Sequence, residues 1–199
     1  MTSPLTDNEL IVEFQRGNLD AFEMLVLRHQ DQLINFFYHC SGDRQLSEDY
    51  TQDVFVRLVS YLDRYSPKAK FTTFLYKVAR NMWIDKLRAE RVRPRPVSLE
   101  SPISGGERCL KDTIEGKSQA PGDAIAHHEL GETLEAVIES LPEDLRVVLV
   151  LSEIQGLKYR EISEVLDVPI GTVKSRMHSA VETLRKKLSG KDLAEEEEE

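Results

Sequence analysis

The stretch Tyr159-Arg160-Glu161-Ile162-Ser163-Glu164-Val165-Leu166-Asp167-Val168-Pro169-Ile170-Gly171-Thr172-Val173-Lys174-Ser175-Arg176-Met177-His178-Ser179 reads as a short helix, a turn and the start of a longer helix. Tyr159, Ile162, Val165 and Leu166 recur at helical spacing, and Asp167 to Gly171, with its Pro and Gly, breaks the period. From about Ile170 to Leu188, the residues Val173, Met177, Val181, Leu184 and Leu188 form one apolar stripe at steps of about four. That stripe predicts Lys174, Ser175, His178, Ser179 and Arg185 on the opposite side. This is the pattern of a helix-turn-helix, whose second helix must enter a major groove about 12 Å wide. Lys174 and Ser175 lie where side chains can reach base edges, while Arg185, Lys186 and Lys187 suit the flanking backbone. On spacing alone, an ordinary amphipathic helix with a solvated basic face fits equally well.

Working upstream, Leu145, Val148, Leu149, Leu151 and Ile154 predict a helix that Gly156 ends. Before it, Asp123 can cap a helix through Ile125, Leu130, Leu134, Val137, Ile138 and Leu141, stopped by Pro142. Between Arg93 and Asp123 lie Pro94, Pro96, Pro102, Gly105, Gly106, Gly116, Pro121 and Gly122 with few apolar residues, the composition of an interdomain linker. Upstream of the linker the apolar period is helical throughout. Thr6 with Glu9 fits a capping box for a first helix that Gly17 closes. A second helix, from about Asn18 to Ser41-Gly42-Asp43, carries Phe22, Leu25, Val26, Leu33 and Phe36. Ser47 can cap a third, with Tyr50, Val54, Phe55, Leu58, Val59 and Leu62 inward and Asp49, Gln52, Asp53 and Arg57 outward. A fourth helix runs from Phe71 to about Arg91, with Phe74, Leu75, Val78 and Met82 toward the core and Lys77, Arg80, Asn81 and Arg88 opposite. Trp83 fits the core better than an exposed stacking platform.

The fold class is therefore all-α: two small helical domains, a bundle and a helix-turn-helix domain, joined by a flexible linker. The boundaries fall at 1–93 for the first domain, 94–122 for the linker, 123–190 for the second domain and 191–199 for an acidic tail. The chain has 199 residues, enough for two modest cores. Its formal net charge is -9, yet Arg64 to Arg95 holds ten Lys and Arg against two acids, and Lys174 to Leu188 five against one. Two basic islands thus sit in an acidic chain that is poorly suited to coat nucleic acid unaided. Cys40 and Cys109 have no metal-ligand spacing, and two free thiols are expected. No stretch approaches the ~20 apolar residues of a membrane span, and the first residues lack the basic and apolar regions of a signal peptide, so a cytoplasmic protein without membrane insertion is expected.

Three blocks carry a family resemblance: Ser140-Leu141-Pro142-Glu143-Asp144-Leu145-Arg146, then Gly156-Leu157-Lys158-Tyr159-Arg160-Glu161-Ile162, then Pro169-Ile170-Gly171-Thr172-Val173-Lys174-Ser175-Arg176. Together they resemble region 4 of the extracytoplasmic-function (ECF) sigma factors, within the sigma-70 family of bacterial RNA polymerase. The first half is similar to region 2 of the same family at Asp20-Ala21-Phe22, at Glu48-Asp49-Tyr50-Thr51-Gln52-Asp53-Val54-Phe55, and at Phe71-Thr72-Thr73-Phe74-Leu75-Tyr76-Lys77-Val78-Ala79-Arg80-Asn81.

The resemblance implies an alternative sigma factor that binds core polymerase, recognises the minus-35 and minus-10 promoter elements, and helps to melt the promoter. It implies polymerase binding through Asp49, Gln52, Asp53 and Arg57, with the beta-prime clamp helices and the beta flap as partners. The loop around Ser66, Lys68 and Lys70 and the residues Lys77, Arg80, Asn81 and Arg88 would meet the minus-10 element. A base flipped out of the stack needs compensating contacts, and its strand needs positive charge. Thr172, Lys174, Ser175, Arg176, His178 and Ser179 would meet the minus-35 element. Relatives carry a longer basic or aromatic residue at position 178 or 179, so no promoter preference is transferred. Promoter DNA and an anti-sigma factor are the remaining implied partners; no cofactor, metal or catalytic residue is implied, since catalysis belongs to the polymerase.

Rival readings are weaker. A two-component regulator needs an α/β receiver, and the first half has no parallel-strand pattern. His127-His128-Glu129 is the one cluster that suggests a metalloenzyme, and it lacks the HExxH spacing that puts two imidazoles on one helical face.

Overall fold

The computed structural model describes residues 5–63, 65–66, 70–92 and 134–195. Lys68, the linker, the Asp123 cap with Ile125 and Leu130, His127-His128-Glu129, Cys109 and the last four glutamates lie outside the described residues. Helices are the regular elements throughout, and no strand occurs among the described residues.

Four helices build the first half: α1 (Asp7–Gln15), α2 (Leu19–Ser41), α3 (Arg44–Leu62) and α4 (Phe71–Val92). The capping box forms as expected, with the Thr6 side chain accepting from the Glu9 amide and the Thr6 amide donating to Glu9 Oε2 at 2.7 Å. Asn18 caps α2, and Gly42 closes it in the left-handed conformation at φ 71°. Along α2, Ala21, Leu25, His29, Leu33, Phe36, Phe37 and Cys40 are buried in the same core as Tyr50, Val54 and Leu58 of α3 and Leu75 and Met82 of α4. His29 is tolerated in this stripe because its Nε2 lies 3.0 Å from Asp7 Oδ2, and Asp7 also accepts from Arg28 at 2.6 Å. Trp83 is a core residue, edge-on to Tyr50 at 5.9 Å.

Two expectations for α3 are corrected. Its cap is Asp43, whose side chain accepts from the Leu46 amide at 3.0 Å; Ser47 is buried inside the first turns and donates to the Asp43 carbonyl at 2.6 Å. Three residues of helix, Arg44 to Leu46, therefore precede the residue that the Ser signal selects. Val59 is exposed rather than inward, because Leu58 and Leu62 already occupy the buried stripe.

The second half contains α5 (134–139), α6 (Glu143–Leu149), a π turn (Val150–Ile154), α7 (Tyr159–Leu166) and α8 (Ile170–Glu195). The π turn widens the helix by one residue, with the Gln155 amide reaching back to the Val150 carbonyl at 3.0 Å. Val147, Val148, Leu149, Val150 and Leu151 are thereby all buried, a run that one α-helical face could not hide. Helix α8 continues beyond the Leu188 end predicted from its stripe. Its buried line is Val173, Met177 and Ala180, and Val181 is 40% exposed. Steps of four overshoot a helix of 3.6 residues per turn, so the stripe must take a step of three, onto Ala180.

The two halves are closed on each other and share one apolar core. Helix α4 packs on α7, and α2 packs on the π turn and α6. Tyr76, 2% exposed, stands edge-on to Phe36 at 5.5 Å and donates its hydroxyl to Gln155 Oε1 at 2.6 Å. Arg146 donates to the Cys40 carbonyl at 2.8 Å.

Candidate nucleic-acid interface

The turn between α7 and α8 is built from local bonds. Asp167 ends α7 in the left-handed region at φ 55°, a conformation that Asp tolerates better than most residues. Ser163 Oγ donates to the Val168 carbonyl at 2.6 Å, and the Thr172 amide donates to the Pro169 carbonyl at 2.8 Å to start α8. With Val173, Met177 and Ala180 fixed in the core, Lys174, Ser175, His178 and Ser179 are exposed together on the far side. At about 100° per residue these four span an arc of roughly 140°. Ser175 Oγ donates to the Thr172 carbonyl at 3.0 Å, and Thr172 is half-buried. Arg176 does not join the arc: it lies at the edge of the buried face and donates to Asp144 Oδ2 at 2.6 Å.

The second basic face lies on α4. Lys77, Asn81 and Arg88 are exposed, Arg80 is half-buried, and Lys70 sits just before the helix. By helical geometry Lys77, Arg80, Asn81 and Arg88 fall within an arc of about 100°. Arg80 donates to Asn81 Oδ1 at 3.2 Å. Burial lowers the Arg80 pKa; Asp144 opposes that effect, while Arg176 and Arg88 add to it. Ser66, on the preceding loop, is exposed.

Lys70 Nζ is 2.8 Å from Glu161 Oε1, and Glu161 Oε2 accepts from the Lys158 amide at 2.8 Å. Lys70 first, and the Lys158 amide after it, hold the Glu161 carboxyl below its usual range against a smaller opposing effect of burial. A narrow cleft between the halves is lined by Arg80, Trp83, Asp144, Val147, Leu166 and Arg176, so an arginine from each basic island reaches the same place.

On α3, Asp49, Gln52, Asp53 and Arg57 are exposed as expected; Asp53 pairs with Lys86 at 3.0 Å and Arg57 with Asp85 at 3.9 Å. Sequence reasoning missed Val56, 72% exposed among them. The available signal was a β-branched apolar residue at i+3 from Asp53 and i+4 from Gln52, on the polar face. It also missed Gln155 and Glu161, which carry no sign in sequence that they face the other half.

Comparison with known proteins agrees with this architecture. The family model for sigma-70 region 2 matches residues 25–93, and that for sigma-70 region 4 matches 131–184. The ECF RNA polymerase sigma factor SigW of Bacillus subtilis is 34% identical over 179 residues, covering 89% of this chain and 94% of its own. The ECF RNA polymerase sigma-E factor of Escherichia coli is 34% identical over 195 residues, covering 94% and 97%. The RNA polymerase sigma-H factor of Pseudomonas aeruginosa is 32% identical over 185 residues, covering 92% and 93%. Among solved structures, CnrH in complex with the cytosolic domain of CnrY superposes with a TM-score of 0.66 at 23% identity, covering 92% and 97%. The sigma factor RpoE of Bartonella quintana, in complex with the anti-sigma factor NepR, gives 0.60 at 20% identity, covering 84% and 96%. The two structures share the fold; the three relatives share the family over nearly the whole length, and the chain belongs to the ECF sigma factors of bacterial RNA polymerase.

Proposed function

We propose that this sigma factor divides promoter recognition between its two basic faces. Lys174, Ser175, His178 and Ser179, with Thr172 and Arg176 beside them, read the minus-35 element in the major groove. Lys70, Lys77, Arg80, Asn81 and Arg88, with Ser66 and Lys68 from the preceding loop, hold the melted minus-10 strand. The observation that carries this reading is the outward arc of α8: small and basic side chains share the solvent side of a helix whose other side is anchored by Val173, Met177 and Ala180. Short polar side chains allow the helix axis to come close to base edges, and lysine adds phosphate attraction.

Polymerase binding falls to Asp49, Gln52, Asp53 and Arg57 on α3, through the clamp helices of beta-prime, with the beta flap taking the second half. Residues 1–93 and 123–190 are the corresponding units, separated by 94–122 and followed by the tail from 191. Regulation by an anti-sigma factor has support from the two structural relatives, each of which was solved with a bound partner. The protein works in the cytoplasm, uses no cofactor and leaves catalysis to the polymerase; no helix among the described residues is long and apolar enough to cross a membrane.

Two weak DNA contacts tethered on one polymerase act together, so an acidic chain needs little affinity of its own. Run-off transcription with core polymerase on a library of promoter fragments tests the reading. Defined start sites that appear only when the chain is added are expected, and unchanged non-specific initiation overturns it.

A further inference from the structure

We propose that Gln15, the last residue of α1, is a positioning residue for minus-10 recognition: its carboxamide holds the turn between α3 and α4 in the shape that meets the promoter strand. This rests on the assignment of Ser66 and the α4 face to the minus-10 element given above. Gln15 Nε2 donates to the Leu62 carbonyl at 2.7 Å and to the Tyr65 carbonyl at 2.9 Å. Both acceptors are main-chain carbonyls, so the nitrogen of the carboxamide, and not its oxygen, must face them. One trigonal nitrogen with two hydrogens thus ties together two carbonyls three residues apart. It does so where α3 stops at Leu62 and its last carbonyls lose their intrahelical partners.

The bond to Tyr65 reaches beyond that residue. A peptide unit is planar, so fixing the Tyr65 carbonyl also fixes the amide of Ser66 and turns it away from α1. The Tyr65 ring is held as well, 4.8 Å from Phe74 and 6.4 Å from Phe71 in the first turn of α4. Helix α1 is itself anchored: Asp7 accepts from Arg28 at 2.6 Å and lies 3.0 Å from His29, whose ring stands edge-on to Phe71 at 5.3 Å. Gln15 is therefore offered from an element that is tied at its other end toward the same turn of α4. Its partners lie 47 and 50 residues away in sequence, so the shape of the turn is not written locally. Gln15 is exposed, so water can take its place and the fold as a whole does not depend on it. What its removal takes away is preorganisation: a turn that visits several shapes binds the strand in proportion to the fraction in the competent one.

Run-off transcription with core polymerase tests this on a promoter where the chain initiates and on versions with single base changes in the minus-10 or the minus-35 element. The parent chain is compared with Gln15→Glu, which keeps the shape and removes both N–H groups, and with Gln15→Leu, which controls for the added charge. Circular dichroism checks folding, and hydrogen exchange of the peptide covering residues 61–74 reads the turn. In both variants the ratio of initiation on the intact promoter to that on the minus-10 versions is expected to shrink about fivefold, with faster exchange over the turn and the minus-35 ratio unchanged. Equal loss against both elements overturns the proposal, as do unchanged minus-10 ratios. Failure of the variants to fold also overturns it, because Gln15 is then needed for the structure as a whole. Asn81→Ala in the same assay separates this proposal from the reading beneath it. If Asn81→Ala narrows minus-10 discrimination and the Gln15 variants do not, the role of Gln15 alone is refuted; if none of them does, the assignment of the minus-10 face falls with it.

Discussion

The Tyr76 hydroxyl donates to Gln155 Oε1 at 2.6 Å, joining the fourth helix of the first half to the π turn of the second. Burial raises the Tyr76 pKa and keeps the phenol protonated as a donor. Gln155 Nε2 is buried without a partner among the described residues, so this carboxamide depends on what its oxygen accepts. Tyr76→Phe is expected to lower stability by about 1–2 kcal/mol, because it leaves a polar group more poorly satisfied inside the seam. Urea unfolding followed by circular dichroism measures it, and an unchanged midpoint contradicts it.

The cap of α3 offers a local test. Asp43 accepts from the Leu46 amide at 3.0 Å, and its removal leaves that donor without its cap. Asp43→Ala should cost about 1 kcal/mol, seen as a lower thermal or urea midpoint.

Cys40 is chemically quiet. It is fully buried in α2, and burial first, against the attraction of Arg146, pushes its pKa up to about 12. A thiol held protonated and shielded neither attacks disulfides nor oxidises readily. Mass mapping after treatment of the folded protein with a thiol reagent should find Cys40 unmodified, and modification should appear once denaturant is added.

His39 sets a pH dependence. Burial lowers its pKa and Glu139 opposes the shift without reversing it. The folded chain therefore takes up this proton at lower pH than the unfolded chain. As pH falls below the ordinary imidazole value, the unfolded state binds the proton first and stability declines until the lowered folded value is passed. Above the ordinary value this residue contributes no slope. In His39→Gln that segment of the stability–pH curve should flatten relative to the parent, as read from urea midpoints across a pH series.

Much of the architecture was legible in sequence because an amphipathic helix writes its period into apolar spacing. Thr6, Asn18, Gly42 and Gly156 act where their side chains or backbone freedom predict. What failed did so for identifiable reasons. Ser47 has the chemistry of a cap, but Asp43 has it too and comes first, leaving Ser47 to bond back onto the Asp43 carbonyl. Val181 looked like a core residue because counting by fours ignores the drift of a real helix, and Ala180, which replaces it, is too small to announce itself. The π turn has no residue signature. For the interface, exposure of the α8 arc followed from fixing its opposite face, whereas the diversion of Arg176 to Asp144 and of Lys70 to Glu161 depends on tertiary neighbours that no spacing rule names.

The most direct measurement of the central claim is run-off transcription with core polymerase on one responsive promoter and on versions scrambled at the minus-10 or the minus-35 element, comparing the parent chain with Asn81→Ala and Lys174→Ala. Asn81→Ala should lose initiation on the intact promoter, by roughly tenfold for about 1.4 kcal/mol of contact, and should add little to the loss that minus-10 scrambling already causes. Lys174→Ala should behave in the same way toward the minus-35 element. Initiation unaffected by either change, or losses that simply multiply with scrambling of the assigned element, would contradict the assignment of the two basic faces.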